Sequence, residues 1–97
     1  MKKLKCKITD NGYLHIPANI ADEHFKTGAV IIMLRENELH VMPVSYVGAG
    51  GIILKYRNAK GDRSVFIAEF LPDDVNYGSR IVKWDEKALA LRIPLYT

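Results

Sequence analysis

Thr9-Asp10-Asn11-Gly12-Tyr13-Leu14-His15-Ile16-Pro17, then Ala18 to Phe25, Lys26-Thr27-Gly28 and Ala29 to Pro43, is the stretch that decides how this chain folds. Asp10-Asn11-Gly12 has turn chemistry, and the segments on either side alternate apolar and polar residues with period two. Leu4, Cys6 and Ile8 alternate with Lys3, Lys5, Lys7 and Thr9 before the turn. A two-residue Asn-Gly loop would oppose Ile8 to His15 and mix polar with apolar side chains on both faces. A three-residue loop ending at Gly12 opposes Ile8 to Leu14 and Cys6 to Ile16, which sorts the faces, so this register is expected. Pro17 closes the strand and suits the start of a helix, where no amide donor is missed. Ala18 to Phe25 then gathers Ile20, His24 and Phe25 near one face, with Asp22 and Glu23 opposite. Two turns are not stable alone, so this helix must pack, and Thr27-Gly28 ends it.

Working outward, Val30, Ile32 and Leu34 against Ile31, Met33 and Arg35 predict a central strand apolar on both faces, returning after Glu36-Asn37 through Leu39, Val41 and Pro43. Val44 to Gly51 holds three glycines and reads as a linker or wide turn. Beyond it a strand is expected over Ile52 to Tyr56, a turn over Asn58 to Asp62, and a strand over Ser64 to Phe70. Leu71 to Val75 is expected to start one helical turn with an aspartate cap. A strand follows over Ile81 to Trp84, and Leu89, Leu91, Ile93 and Leu95 alternate cleanly. At an offset near 50, Gly12 falls against Gly61, Gly28 against Gly78, Leu34 against Trp84 and Leu39 against Leu89. The pattern suggests an internal repeat, with units over residues 1–45 and 51–97 of a single domain spanning 1–97. Asp73 to Tyr77 is too short to match Ala18 to Phe25.

The positions Gly12, Leu14, Ile16, Pro17, Ile20, Phe25, Gly28, Val30, Ile32, Leu34, Leu39, Val41 and Pro43 resemble the pattern of the AbrB-like swapped-hairpin family over residues 5–43. The resemblance implies a mainly β fold with one short helix, a small swapped-hairpin barrel of β-β-α-β-β units. Such units interlock in pairs, so it implies either an intertwined homodimer or a duplicated chain closing the barrel as a pseudo-dimer. It also implies DNA binding by arginines after the turn glycine and on the helix. Here Tyr13, Ala21, Asp22 and Glu23 stand at those places. Carboxylates on a contacting helix would repel phosphate.

Composition narrows the function classes. At 97 residues the chain is one small domain, and 48% apolar with 26% charged residues is ordinary for a globular protein. The longest apolar run, Ala29 to Leu34, is far below the roughly 20 residues that span a bilayer, and no signal-peptide pattern follows Lys2 and Lys3. A cytoplasmic location is the expectation. The lone Cys6 reads as a core residue. His15, His24 and His40 have no ligand-type spacing, so no metal or cofactor is expected. No nucleophile motif is present, Asp73-Asp74 after Pro72 reads as turn and cap, and Gly48, Gly50 and Gly51 lack the rest of a P-loop. The chain is not expected to be an enzyme.

The formal charge of +3 is mild, but it is concentrated. Lys2, Lys3, Lys5 and Lys7 line the first strand, and Lys55, Arg57, Lys60 and Arg63 surround the second turn with only Asp62 to offset them. Lysine on an edge strand also guards against aggregation, and Asp62 and Arg63 would serve the turn itself. The density at Tyr56, Arg57, Asn58, Lys60, Asp62 and Arg63 nevertheless marks a binding tip for an acidic protein partner. Residues 51–95, with Arg57-Asn58, Gly61-Asp62-Arg63-Ser64 and Trp84-Asp85, resemble small proteins that accompany hydrogenase maturation genes, implying an accessory role in metalloenzyme assembly. The alternative is an AbrB-like regulator or antitoxin whose DNA contacts have moved to Lys2, Lys3, Lys5, Lys7 and the Arg57 to Arg63 turn.

Overall fold

The structure, a computed structural model, describes residues 3–46, 48 and 50–97; Lys2 lies outside them. Among the described residues the elements run β1 (Leu4–Ile8), β2 (Tyr13–Ile16), α1 (Ala18–His24), β3 (Ala29–Arg35), β4 (Glu38–Pro43), β5 (Ile52–Ile53), β6 (Lys55–Tyr56), β7 (Arg63–Phe66), β8 (Gly78–Asp85) and β9 (Ala90–Pro94). The nine strands form one antiparallel sheet in the order β5-β3-β4-β9-β8-β1-β2-β7-β6. Its two end strands are halves of a single segment bent at Leu54, so the chain itself joins the ends. The fold is a small, nearly closed β-barrel with one short helix.

Four hairpins build this barrel, and they alternate. The β3–β4 hairpin is flanked by β5 and β9, and the β1–β2 hairpin by β8 and β7. Neither hairpin of the first half pairs with the other; each is held by strands of the second half. One chain supplies every strand of the sheet.

Alternation along each strand fills the interior. Cys6, Ile8, Leu14, Ile16, Val30, Ile32, Leu39, Val41, Val65, Leu91 and Ile93 point inward and are buried, and Ile20 and Phe25 of α1 join them. The first hairpin has the expected register, with Ile8 opposite Leu14 and Lys7 opposite His15. Its three-residue loop is closed by the Thr9 N–H donating to Tyr13 O (2.8 Å), with Gly12 at φ +90°. A Cβ at Gly12 would lie 2.7 Å from that of Ala68, so glycine is required twice over. Pro17 sits extended just before α1, as expected. The helix survives by packing: the His24 ring stacks on Trp84 at 3.9 Å and the Phe25 ring meets the same indole edge-on at 6.2 Å.

Several expectations about the second half are corrected. The strand expected over Ile52 to Tyr56 breaks at Leu54, whose buried side chain plugs the bend while its N–H donates to Gly28 O (2.8 Å). The strand expected to reach Phe70 stops at Phe66, because Ala68–Phe70 forms a 3-10 turn against the Gly12 loop. The segment after Pro72 does turn, with the Val75 N–H donating to Pro72 O (3.3 Å), but it forms no helix. Asp74 makes no cap and instead accepts from the Tyr96 hydroxyl (2.8 Å). Leu89 is not in the β9 alternation; it occupies the β8–β9 turn at φ +50°, exposed, whereas Leu39, its counterpart at offset 50, is buried. Strand β3 does lie between two others, but the barrel wall buries one face only. Ile31 and Met33 stay nearly half exposed on the other, and Leu34, at the strand's end, is 47% exposed.

These positions separate two substitutions. Trp84→Ala should cost about 2–3 kcal/mol, below the roughly 3–5 typical of a wholly buried aromatic, because Trp84 is only partly buried but holds α1. Leu34→Ala should cost less than about 1 kcal/mol, as expected where little area leaves water. Urea unfolding of both variants checks the pair, and equal losses would contradict this placement.

Candidate functional site: a basic groove

The outward-facing side chains of the barrel wall form a continuous polar row. Ser79 of β8 pairs with Lys7 of β1, Lys7 with His15 of β2, His15 with Ser64 of β7, and Ser64 with Lys55 of β6. Beside the first part of this row lies an open groove of about 320 Å³, lined by Lys5, Lys7, His15, Pro17, Arg57, Asp62 and Ser79. Lys5 and Lys7 project from β1 because the inward positions are taken by Cys6 and Ile8. Arg57 reaches the groove from the β6–β7 turn. Two basic clusters about fifty residues apart in the chain thus share one concavity.

The field in this groove is positive. Burial and the neighbouring Arg57 and Lys7 charges push the His15 imidazole below its ordinary value, which keeps it neutral near pH 7. Among the described residues, Lys5, Lys7 and Arg57 form no ion pair within 4.0 Å. Asp62 is the carboxylate in the groove, and its oxygens are already engaged. Its Oδ1 accepts the Ala18 N–H at 2.8 Å, and its Oδ2 accepts from Asn58 Nδ2 at 3.0 Å. The turn residue Asp62 therefore caps helix α1 across the molecule. Its hydrogen bonds from Asn58 and Ala18 hold the carboxyl below its ordinary range. A depressed folded-state value means this contact stabilises above the ordinary value of 3.8 and is lost as pH falls through the lower folded value. The protection factor of the Ala18 amide, corrected for the intrinsic pH dependence of exchange, should accordingly fall as pH drops below 3.8, and Asp62→Ala should show the lower protection already at neutral pH.

The structure divides the six tip residues expected to bind together. Arg57 and Asp62 face the groove, whereas Tyr56 and Arg63 face a separate basin on the other side of the hairpin. Asn58 organises the turn, its Oδ1 accepting from the Lys60 (3.1 Å) and Asp62 (3.3 Å) amides. Lys60 is exposed on the turn, outside both linings. Arg63 does not bond the turn: its Nη1 donates to Leu54 O at 2.8 Å and its guanidinium lies 3.7 Å over the Tyr56 ring. Of the lysine set, Lys5 and Lys7 reach the groove, while Lys3 lies outside its lining. His15 and Ser79 were missed as site residues. The period-two pattern put His15 beside Lys7, but pairing of Ser79 with Lys7 depends on a strand some seventy residues away.

Next to the groove a second concavity, sharing Lys7 and His15, is lined by Tyr13 and Tyr77, and Phe66 packs edge-on against Tyr13 at 5.1 Å. Cys6 faces inward, and burial pushes its thiol up to about 12, so it stays a protonated core group. Among the described residues, no three His, Cys, Asp or Glu side chains gather as a metal site would require, and no helix is long and apolar enough to cross a membrane.

Fold and groove together define a small β-barrel carrying a concavity on its wall that is lined by Lys5, Lys7 and Arg57 together with Asp62. Comparisons with protein-family models, with characterised proteins and with solved structures found no match to this chain.

Proposed function

We propose that this chain is a non-catalytic accessory protein that binds an acidic segment of a protein partner in the groove between β1, β2 and the β6–β7 turn. The observation that carries the reading is the convergence of Lys5, Lys7 and Arg57 on one concavity, none of them in an ion pair within 4.0 Å among the described residues, with Asp62 beside Arg57 already committed to hydrogen bonds. Unpaired cations on a rigid wall keep their reach for an anionic partner and raise its rate of encounter. The resemblance of residues 51–95 to proteins accompanying hydrogenase maturation genes supports metalloenzyme assembly, in the cytoplasm, as the process served. That one chain supplies every strand favours a pseudo-dimeric monomer over an intertwined pair.

A second reading, contact with nucleic acid, is favoured by Tyr13, Phe66 and Tyr77 beside the cations, since bases stack on such rings. Exposed Asp22 and Glu23 on α1 oppose a duplex laid across the AbrB-like face. Fluorescence anisotropy with a labelled poly-glutamate peptide, a single-stranded oligonucleotide and random duplex DNA, each at about 50 and about 200 mM salt, separates the readings. The proposal expects the peptide to bind and the nucleic acids to bind weakly or not at all. Steep salt-dependent binding of either nucleic acid, with none of the peptide, would replace it.

A further inference from the structure

The basin on the far side of the β6–β7 hairpin has its own chemistry. It has a volume of about 470 Å³ and is lined by Lys26, Thr27, Gly28, Ile53, Leu54, Lys55, Tyr56 and Arg63, a set holding three cations and no carboxylate. Among the described residues none of the three forms an ion pair within 4.0 Å. Arg63 is fixed in place rather than free to wander. The Tyr56 ring covers one face at 3.7 Å, Leu54 O holds Nη1 at 2.8 Å, and the guanidinium rests on Gly28. A Cβ at Gly28 would come within 3.3 Å of Nη1, so a side chain there would crowd this seat. Its Nε is buried without a partner, and Nη2 makes no hydrogen bond within the protein and is not sealed from solvent. A guanidinium held in place with Nη2 open, in a basin that Lys26 and Lys55 also line, suits a compact, doubly charged oxyanion.

We propose that this basin binds the phosphate group of a small phosphorylated ligand, with Arg63 as the directional donor and Lys26 and Lys55 as point charges. The partly apolar wall made by Ile53, which is exposed, and Tyr56 accommodates the rest of such a ligand. The site shares no lining residue with the groove, so it goes beyond the acidic-partner reading and is independent of it.

The test is a titration of the isotope-labelled full chain with inorganic phosphate, followed by amide and Arg63 Nε–H resonances, against chloride at matched ionic strength. Saturable shifts at Thr27, Gly28, Leu54 and Arg63 by about 10 mM phosphate are expected, corresponding to a Kd in the millimolar range or tighter. Lys26→Ala with Lys55→Ala, both exposed and therefore harmless to folding, should weaken binding by about tenfold or more. Arg63→Lys should weaken it too, with α1 and β7 resonances reporting whether the fold is kept. No saturable shift, equal shifts with chloride, or unchanged affinity in the double lysine variant would each overturn the proposal. Lys5→Glu with Lys7→Glu should leave these shifts intact. Shifts confined to Lys7, His15 and Arg57 would place the anion in the groove and remove the basin proposal alone.

Discussion

Arg80→Ala should lower unfolding free energy by about 3–5 kcal/mol, a large share of the roughly 5–15 available to a domain of this size. Arg80 is only 4% exposed, opposite Cys6 on the inward register, yet among the described residues no carboxylate pairs with it within 4.0 Å. Its guanidinium is solvated by backbone. Nη1 donates to Pro94 O and Leu95 O at 2.9 Å each, Nη2 to Asn76 O, and Nε and Nη2 reach Gly78 O at 3.3 Å. These carbonyls belong to the entry into β8 and the exit from β9, so a single side chain ties the two together where the ladder ends. Truncation would remove the donor from carbonyls that are mostly part-buried, at about 1–3 kcal/mol for each left unpaired before relaxation or water entry, while Leu95 O keeps the Asn76 N–H. Lysine should not rescue, because a single ammonium lacks the planar fork that reaches several carbonyls at once. Urea midpoints of the alanine and lysine variants measure this. A loss below about 1 kcal/mol for Arg80→Ala would mean that water replaces the guanidinium at no great cost.

The second large effect concerns binding. Lys5→Glu with Lys7→Glu should reduce affinity for an acidic peptide by at least about 100-fold, equivalent to about 2.7 kcal/mol. Both side chains are exposed on the outer wall of β1, so the thermal unfolding midpoint should stay close to that of the parent chain. Charge reversal does more than delete attraction, since like charges facing an acidic segment repel it. Arg57→Ala should cause a smaller loss, with the remaining affinity still falling as salt rises. Undiminished peptide binding by the double variant, with the fold intact, would remove the groove from the functional account.

Local chemistry made the first half legible. Gly12 fixed the hairpin register because its neighbours could sort their faces in only one way, and Pro17 and Gly28 bracketed the helix by backbone constraint. The second half misled where a distant contact overrode the local pattern. Phe66 ends a strand whose apolar sequence runs on because Ala68 must pass close to Gly12. Leu54 looks like mid-strand but carries the bend at which one segment leaves β3 for β7. Leu89 fits an alternation that the β8–β9 turn interrupts. The site was half legible for the same reason. Lys5, Lys7 and Arg57 stood out as charge clusters, but their meeting depends on β1, β2 and β7 being neighbours. The cap that Asp62 places on α1 joins positions 44 residues apart, which no turn propensity encodes.

The alternation of the four hairpins also bears on how the chain is made. During synthesis β1 and β2 emerge first, but β8, which flanks β1, is completed only when residue 85 has been added, and β4 waits longer still for β9. The sheet therefore closes only once β8 and β9 have joined the strands made before them. Until the last strand arrives, the nascent chain carries open hairpin edges that chaperones or a waiting partner would be well placed to cover.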